Sequence, residues 1–460
     1  MAELNVSPVA AETDNGKPEK LGMLEKVSYG FGDLASNFVW GMTTSYLLFF
    51  YTDVFGISAA VVGTLFLITR IWDAVNDPIM GIIVDKTNSK HGKARPYILY
   101  LAIPFAILSV LTFITPDFST TGKIIYAYIT YCLLGMIYTG INLPYGALMP
   151  LMTRDSIEKS KLGSFRMMGL AAGSIAVSAL TLPLVDLLGN GNQQLGFPIT
   201  MALYSIVAIV LFMFTFKFCK ERFTEPVDQD NPIVFRKAAV NMFKNIPWLM
   251  VAVNSLIYFL RIGLFFGVLI YYVTYVLEQP QMVPLYLTLA NVANFVGGAI
   301  APFILKRLGN RNGSIILLTL CIPLFIIMLL LENGSFAIFT TVFFIAFTFI
   351  GVNGAANFAL LADSIDYQEW KYGKRTDGLL YSAYSFATKF GIAIGSAAVA
   401  YALAWAGYDP DAITASAQDM IRVIMYAGLI VLTIIQIIAL FFYKLDNFHA
   451  DIVADLRQRD

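Results

Sequence analysis

The stretch Arg70-Ile71-Trp72-Asp73-Ala74-Val75-Asn76-Asp77-Pro78 lies inside an apolar run that begins near Ile57 and ends near Val84. A run of that length crosses a bilayer, which takes roughly 20 helical residues. On a helix, Asp73 and Asp77 share a face, with Asn76 beside them and Arg70 one turn earlier. A carboxylate at membrane depth costs roughly 3 kcal/mol even on lenient insertion scales. Two readings account for a pair of them. One is an intramembrane salt bridge to Arg70 and Lys389. The other is a cation held between the carboxylates, and neutral oxygens favour it: Asn76 offers an amide and Thr139, in a later apolar segment, a hydroxyl. Hard cations take oxygen ligands. The expected cation site is therefore Asp73, Asn76, Asp77 and Thr139, with Na+ at Asp73 and Asp77. Pro78 lacks a backbone N–H and is expected to disturb the helix and free a carbonyl nearby.

Composition places that segment in a larger pattern. Hydrophobic residues make up 58% of the 460 and charged residues 13%, against about 25% charged in a soluble domain. Twelve apolar segments follow one another, at about 28–52, 57–84, 97–115, 124–150, 165–188, 197–218, 247–276, 283–305, 313–332, 336–361, 378–405 and 420–443. Alternate connections are basic: Lys86 to Arg95, Arg154 to Lys161, Lys220 to Lys244, Lys306 to Arg311 and Lys371 to Arg375. The intervening turns carry Lys123 alone. The positive-inside rule then puts both termini and the long middle loop in the cytoplasm. The expected organisation is a cytoplasmic tail over 1–24, a six-helix bundle over 25–218, a middle loop over 219–246, a second six-helix bundle over 247–443 and a cytoplasmic tail over 444–460. The class is an all-α polytopic membrane protein, and two such bundles place a binding site near the midplane between them. Residues 1–20 are polar, with no apolar stretch of the kind a cleavable signal needs, and read as a disordered tail.

Zero net charge gives no reason to expect a nucleic-acid partner. The scattered Cys132, Cys219 and Cys321 read as core residues, and both histidines fall outside the apolar runs. No zinc-protease, nucleophile-elbow or P-loop motif is present, so the chain is not read as an enzyme and no cofactor is expected. The remaining intramembrane charges are functional candidates. Arg166 is either a snorkelling interface residue or a ligand group. Lys389, in mid-segment, needs an anion or a carboxylate. Arg261 either pairs with an acid or meets an anionic substrate. Asp33, near the start of the first segment, reads as a helix-end charge in an interface network. Asn37 and Asn142 are suited to sugar hydroxyls, since an amide both donates and accepts, or else they hold helices together. Tyr138 and Tyr384 complete the candidate substrate set. Two basic-acidic loops, with Asp85 and Arg95 in one and Asp363, Asp366 and Arg375 near the other, are either solvated anchors or a latch between the halves.

Several long stretches resemble one family: Tyr29-Gly30-Phe31-Gly32-Asp33, Phe50-Tyr51-Thr52-Asp53-Val54-Phe55-Gly56, Val62 to Leu67 running into Arg70 to Gly81, and Ala362 to Lys371. They are similar to the glycoside–pentoside–hexuronide:cation symporters of the major facilitator superfamily, over about 24–445. The resemblance implies alternating access and symport of a sugar with sodium, lithium or a proton in the bacterial inner membrane, by a monomer. It puts the family's cation site on Asp73, Asn76, Asp77 and Thr139, its sugar-site arginine on Arg166 and its lysine on Lys389. The chain departs from the family's melibiose carriers, where two sugar-binding aspartates stand at the positions of Asn37 and Asn142, and tryptophans at those of Gly146 and Gly354. Melibiose is therefore not the expected sugar. Fewer carboxylates, with Arg166 and Lys389 kept and Arg261 added, point to an anionic hexuronide. A neutral pentoside or glycoside moving with a proton is the alternative, and a sensor or lipid transporter on the same scaffold is the rival of another class.

Overall fold

The computed structural model describes residues 20–223 and 241–459, apart from 88, 154, 333 and 374–376. The tail before residue 20, most of the middle loop and Arg375 lie outside the described residues, as does the side chain of Asp85. Among the described residues twelve long helices follow in order: α1 Met23–Phe49, α2 Ala59–Lys86, α3 Arg95–Thr112, α4 Thr120–Met152, α5 Ser156–Gly189, α6 Gln193–Phe218, α7 Ile246–Tyr271, α8 Val283–Leu308, α9 Asn310–Leu330, α10 Phe336–Tyr372, α11 Asp377–Trp405 and α12 Ala415–Phe442. All but α1 are long and apolar enough to span a membrane on composition alone. α1 has the length and carries Glu25, Lys26 and Asp33. The chain is thus an all-helical, multi-pass membrane protein. A short α13, His449–Arg459, occupies the tail after α12, where the sequence alone had suggested no element.

Polar side chains set the helix starts. Ser119, Asn192, Asn245 and Thr414 accept hydrogen bonds from the first-turn N–H groups of α4, α6, α7 and α12. Asn245 also donates to the Ser364 carbonyl and to Gln368, and so fixes the start of α7 against α10. α2 runs through Pro78 without a break. The helix is not broken there, although Pro78, having no N–H, leaves the carbonyl one turn before it without its intrahelical donor.

Two bundles result. In the first, α1 packs on α5 and α6, α3 on α4 and α6, and α2 on α4. In the second, α7 packs on α11 and α12, α8 on α10, and α9 on α10 and α12. The tightest pairings repeat: α1–α5 and α7–α11. Each is a small-residue seam. A Cβ on Gly169 would overlap the Gly30 carbonyl, and one on Gly395 would overlap the Leu260 carbonyl. Close backbone approach of this kind replaces the hydrophobic drive that lipid cannot supply. Exposed Ile71, Ile82, Phe303, Leu330 and Phe442 stand on the outside, as a lipid-facing surface requires. The halves meet along α2–α11, α5–α8 and α1–α7.

Candidate functional site

The acid pair sits at this junction. Asp73 is buried and accepts from Arg70 at 2.6 Å. Asp77 accepts from Thr139 of α4 at 2.9 Å and forms a short ion pair with Lys389 of α11, across the halves. Asn76 is buried, and its Nδ2 has no hydrogen-bond partner among the described residues. Gly135 leaves α4 room against Asp73: a Cβ there would lie 3.3 Å from Oδ1. The four residues expected from the sequence are together, and in this state both carboxylates are paired with side-chain cations.

The amides lie on the neighbouring helices. Asn37 donates to the Asp33 carbonyl at 3.0 Å and accepts from Ser174 of α5 at 3.1 Å. Asn142 donates to the Tyr138 hydroxyl at 2.8 Å. Tyr138 stacks on Trp40, with centroids 4.2 Å apart and planes 6° apart. Arg166 is committed to Asp33 at 2.6 Å and lies over the Tyr145 ring at 4.8 Å, with 28% of its side chain exposed. Tyr384 is 4% exposed and packs near Phe358.

Arg261 corrects the expectation of a ligand group. It is 1% exposed, inside the second bundle, where it donates to Thr433 of α12 at 3.1 Å and lies over Tyr258. Its Nε and Nη2 have no partner there. Paired Gln436 and Asn353, and Asn254 and Asn357, lie on the same three helices, α7, α10 and α12. The tryptophan-to-glycine change at Gly354 is explained nearby: the Tyr258 hydroxyl fills the space a side chain there would take.

Of the expected latch residues, Arg95, Asp363 and Asp366 have contacts within their own halves among the described residues. Arg95 donates to the Phe216 carbonyl at 2.6 Å and lies over its ring, and Glu221 caps the start of α3 beside it. Asp363 and Asp366 face His449 of α13 at 3.6 and 3.2 Å. Besides Lys389–Asp77, the described hydrogen bonds between halves gather at the face away from the termini. Thr52 meets Tyr271 at 2.7 Å, and Asp53 accepts from Tyr275 and Tyr408 at 2.6 Å each. Thr64 meets Tyr401 at 2.7 Å, and Asn291 donates to Ser178 at 2.8 Å. Outside this closure lies a cavity of about 630 Å³ lined by Asp53, Asp186, Gln193, Tyr275 and Asp411 among others. The sequence reading missed this closure and Trp40. Trp40 had one available signal: it stands three residues after Asn37, on the same helix face.

Two bundles of six, joined around intramembrane charges, define a carrier and not an enzyme. Residues 28–447 match the family model described as MFS/sugar transport protein, and the chain belongs to that family. It is 36% identical over 401 residues to the inner membrane symporter YicJ of Escherichia coli K12, covering 85% of each chain. It is 35% identical over 443 residues to the isoprimeverose transporter of Lactiplantibacillus pentosus, covering 95% of this chain and 91% of the relative. Among solved structures, a bacterial homologue of the human lysosomal transporter Spinster, inward-facing and occupied, superposes with a TM-score of 0.67 at 12% identity, over 92% of this chain and 95% of that one. That last likeness speaks for the fold.

Proposed function

We propose that this protein is a cell-membrane symporter that couples Na+ entry to uptake of an uncharged glycoside or pentoside by alternating access, with both termini cytoplasmic. The observation that carries the reading is the gathering of Asp73, Asn76, Asp77 and Thr139 beside Lys389, at the seam between halves. Two carboxylates and two neutral oxygens form a donor set for one small hard cation. Sodium and Lys389 compete for Asp77. In the state described here Lys389 holds the carboxylate; an arriving ion takes its place and frees the link between α2 and α11. The charge of the site then changes only when the ion arrives, which is how loading can release one half from the other.

An uncharged sugar is supported by the two arginines expected to favour an anion. Arg261 is enclosed in the second bundle, and Arg166 is already paired with Asp33. Asn37, Asn142 and Tyr138 are left to bind hydroxyls, and the naming of a relative as an isoprimeverose transporter agrees with this. The closed face away from the termini is the extracellular one in this reading, and the state is open to the cytoplasm. The deciding experiment is uptake into vesicles under an imposed sodium gradient, with a labelled neutral pentoside and a labelled glucuronide, each with and without a pH gradient. Sodium-driven pentoside uptake is expected. Uptake driven by the pH gradient alone makes Asp73 and Asp77 a proton site, and preference for the glucuronide overturns the uncharged-substrate assignment.

A further inference from the structure

We propose that Trp40 is a positioning residue that ties the sugar amides to the cation site, through the unbroken series Asp73–Arg70–Trp40–Tyr138–Asn142. The inference rests on the coupled-transport reading above and adds the physical connection between its two sites. The links are close at every step. Arg70 Nη1 donates to Asp73 at 2.6 Å. The Arg70 guanidinium lies 5.4 Å from the centroid of the Trp40 ring. Trp40 and Tyr138 stack at 4.2 Å with planes 6° apart. Asn142 donates to the Tyr138 hydroxyl at 2.8 Å. Three helices take part, α1, α2 and α4, so a shift at one end is passed between elements and not along one.

Each link constrains the next. A guanidinium is drawn to the face of an indole ring. Two parallel aromatic rings in contact slide or tilt together. The Tyr138 hydroxyl sets the direction of the Asn142 amide, and that direction decides whether a sugar hydroxyl meets a donor or an acceptor. Arg70 is also free to respond. Besides Asp73, its side-chain hydrogen-bond partner among the described residues is Tyr131 at 3.3 Å, and its Nε has none there. When sodium takes Asp73, Arg70 loses its shortest contact, and its restraint passes to Tyr131 and to the face of Trp40. Trp40 is half-buried, not sealed in the core, and it sits one turn from Asn37 on the same face of α1. A displacement of the indole therefore reaches both sugar amides.

The test is the mutual effect of the two ligands on full-length protein in lipid nanodiscs, with Na+ and methyl β-xyloside as probes. The affinity for each is measured with and without the other. Coupled sites commonly change each other's affinity by roughly 5- to 150-fold, and reciprocally. Trp40→Ala is expected to bring that factor to within about twofold of one while each ligand still binds alone, and Trp40→Phe to keep most of it. Should Trp40→Ala not reach the membrane, Trp40→Leu fills more of the same space, equally lacks an aromatic face for Arg70 and Tyr138, and carries the same expectation. Retention of the wild-type factor in either variant overturns the proposal while leaving coupled transport intact. A wild-type protein in which neither probe affects the other overturns both.

Discussion

Asp77 receives hydrogen bonds from both halves of the molecule, from Thr139 of α4 and from Lys389 of α11. That gives it a different role from Asp73, whose partner Arg70 is on its own helix. Asp77→Asn is expected to remove sodium stimulation of sugar binding and to leave weak sugar binding, measured by sugar titration with and without sodium. Lys389→Ala takes away the group that competes with the ion. It is expected to bind sodium about tenfold more tightly, a change of 1.4 kcal/mol, and yet to lose sugar accumulation against a gradient. Looser sodium binding in that variant would refute the exchange of lysine for ion. Arg261 makes the opposite point. A buried charge held by one hydroxyl is replaceable by an apolar side chain of similar volume at little cost. Arg261→Met is therefore expected to fold and to leave the preference between neutral and anionic sugars unchanged, checked by competition for uptake. The acid pair was legible in the sequence because carboxylates in an apolar run stand out. Arg261 was equally conspicuous and was misassigned. Sequence gives depth in the membrane, whereas the direction it faces depends on Thr433, 172 residues away.

Helix pairing depends on a few places where side chains are missing. Gly169 against Gly30 and Gly395 against Leu260 let α1–α5 and α7–α11 touch backbone to backbone. Overpacking costs roughly 1–3 kcal/mol where neighbours can yield, and a carbonyl oxygen yields poorly. Gly395→Leu is expected to lower the thermal midpoint of detergent-solubilised protein and its yield, with the conservative Gly395→Ala intermediate. At the near end of the same α1–α5 pair, Glu158 accepts from the Leu21 backbone N–H and pairs with Lys26 at 2.7 Å and Lys161 at 2.8 Å. Those two lysines hold its carboxyl down at about 2, below its ordinary 4.5. A depressed acid stabilises the folded form fully above its ordinary value and loses that contribution as pH falls towards the lower one. Thermal melts of wild type and Glu158→Gln are therefore expected to differ from pH 5 upwards and to converge as pH falls through 4.5 towards 2. The helices themselves were readable from apolar length, but α5 begins at Ser156 against about 165 and α10 runs to Tyr372 against about 361, because the added turns are rich in charged residues. α13 was not, because its eleven residues mix charged and apolar side chains over too short a length to stand out, and they are placed against α10 through His449.

At the scale of the molecule, the hydroxyls of Tyr271, Tyr275 and Tyr408 close one face around Thr52 and Asp53. Nothing in the sequence marks them, since tyrosines near a membrane surface are common and the contacts span more than 200 residues. If the halves rock, these bonds must break in every cycle. Cysteines at Thr64 and Tyr401, bridged by a short thiol crosslinker after removal of Cys132, Cys219 and Cys321, are expected to stop uptake, with a reducible linker restoring it. Uptake that persists with the bridge in place would exclude rocking at this face. The enclosed arginine has a consequence for how the protein is made. α7 leaves the ribosome with Arg261 and Asn254 exposed on a helix whose polar partners, Asn357 on α10 and Thr433 on α12, do not yet exist. An arginine at mid-helix disfavours entry into lipid by roughly 3 kcal/mol. The nascent helix must therefore wait at the insertion machinery, or lean on its own apolar surroundings, for about 170 further residues of synthesis. A chain truncated before α12 leaves Arg261 without its hydroxyl partner and is expected to be a substrate for membrane quality control.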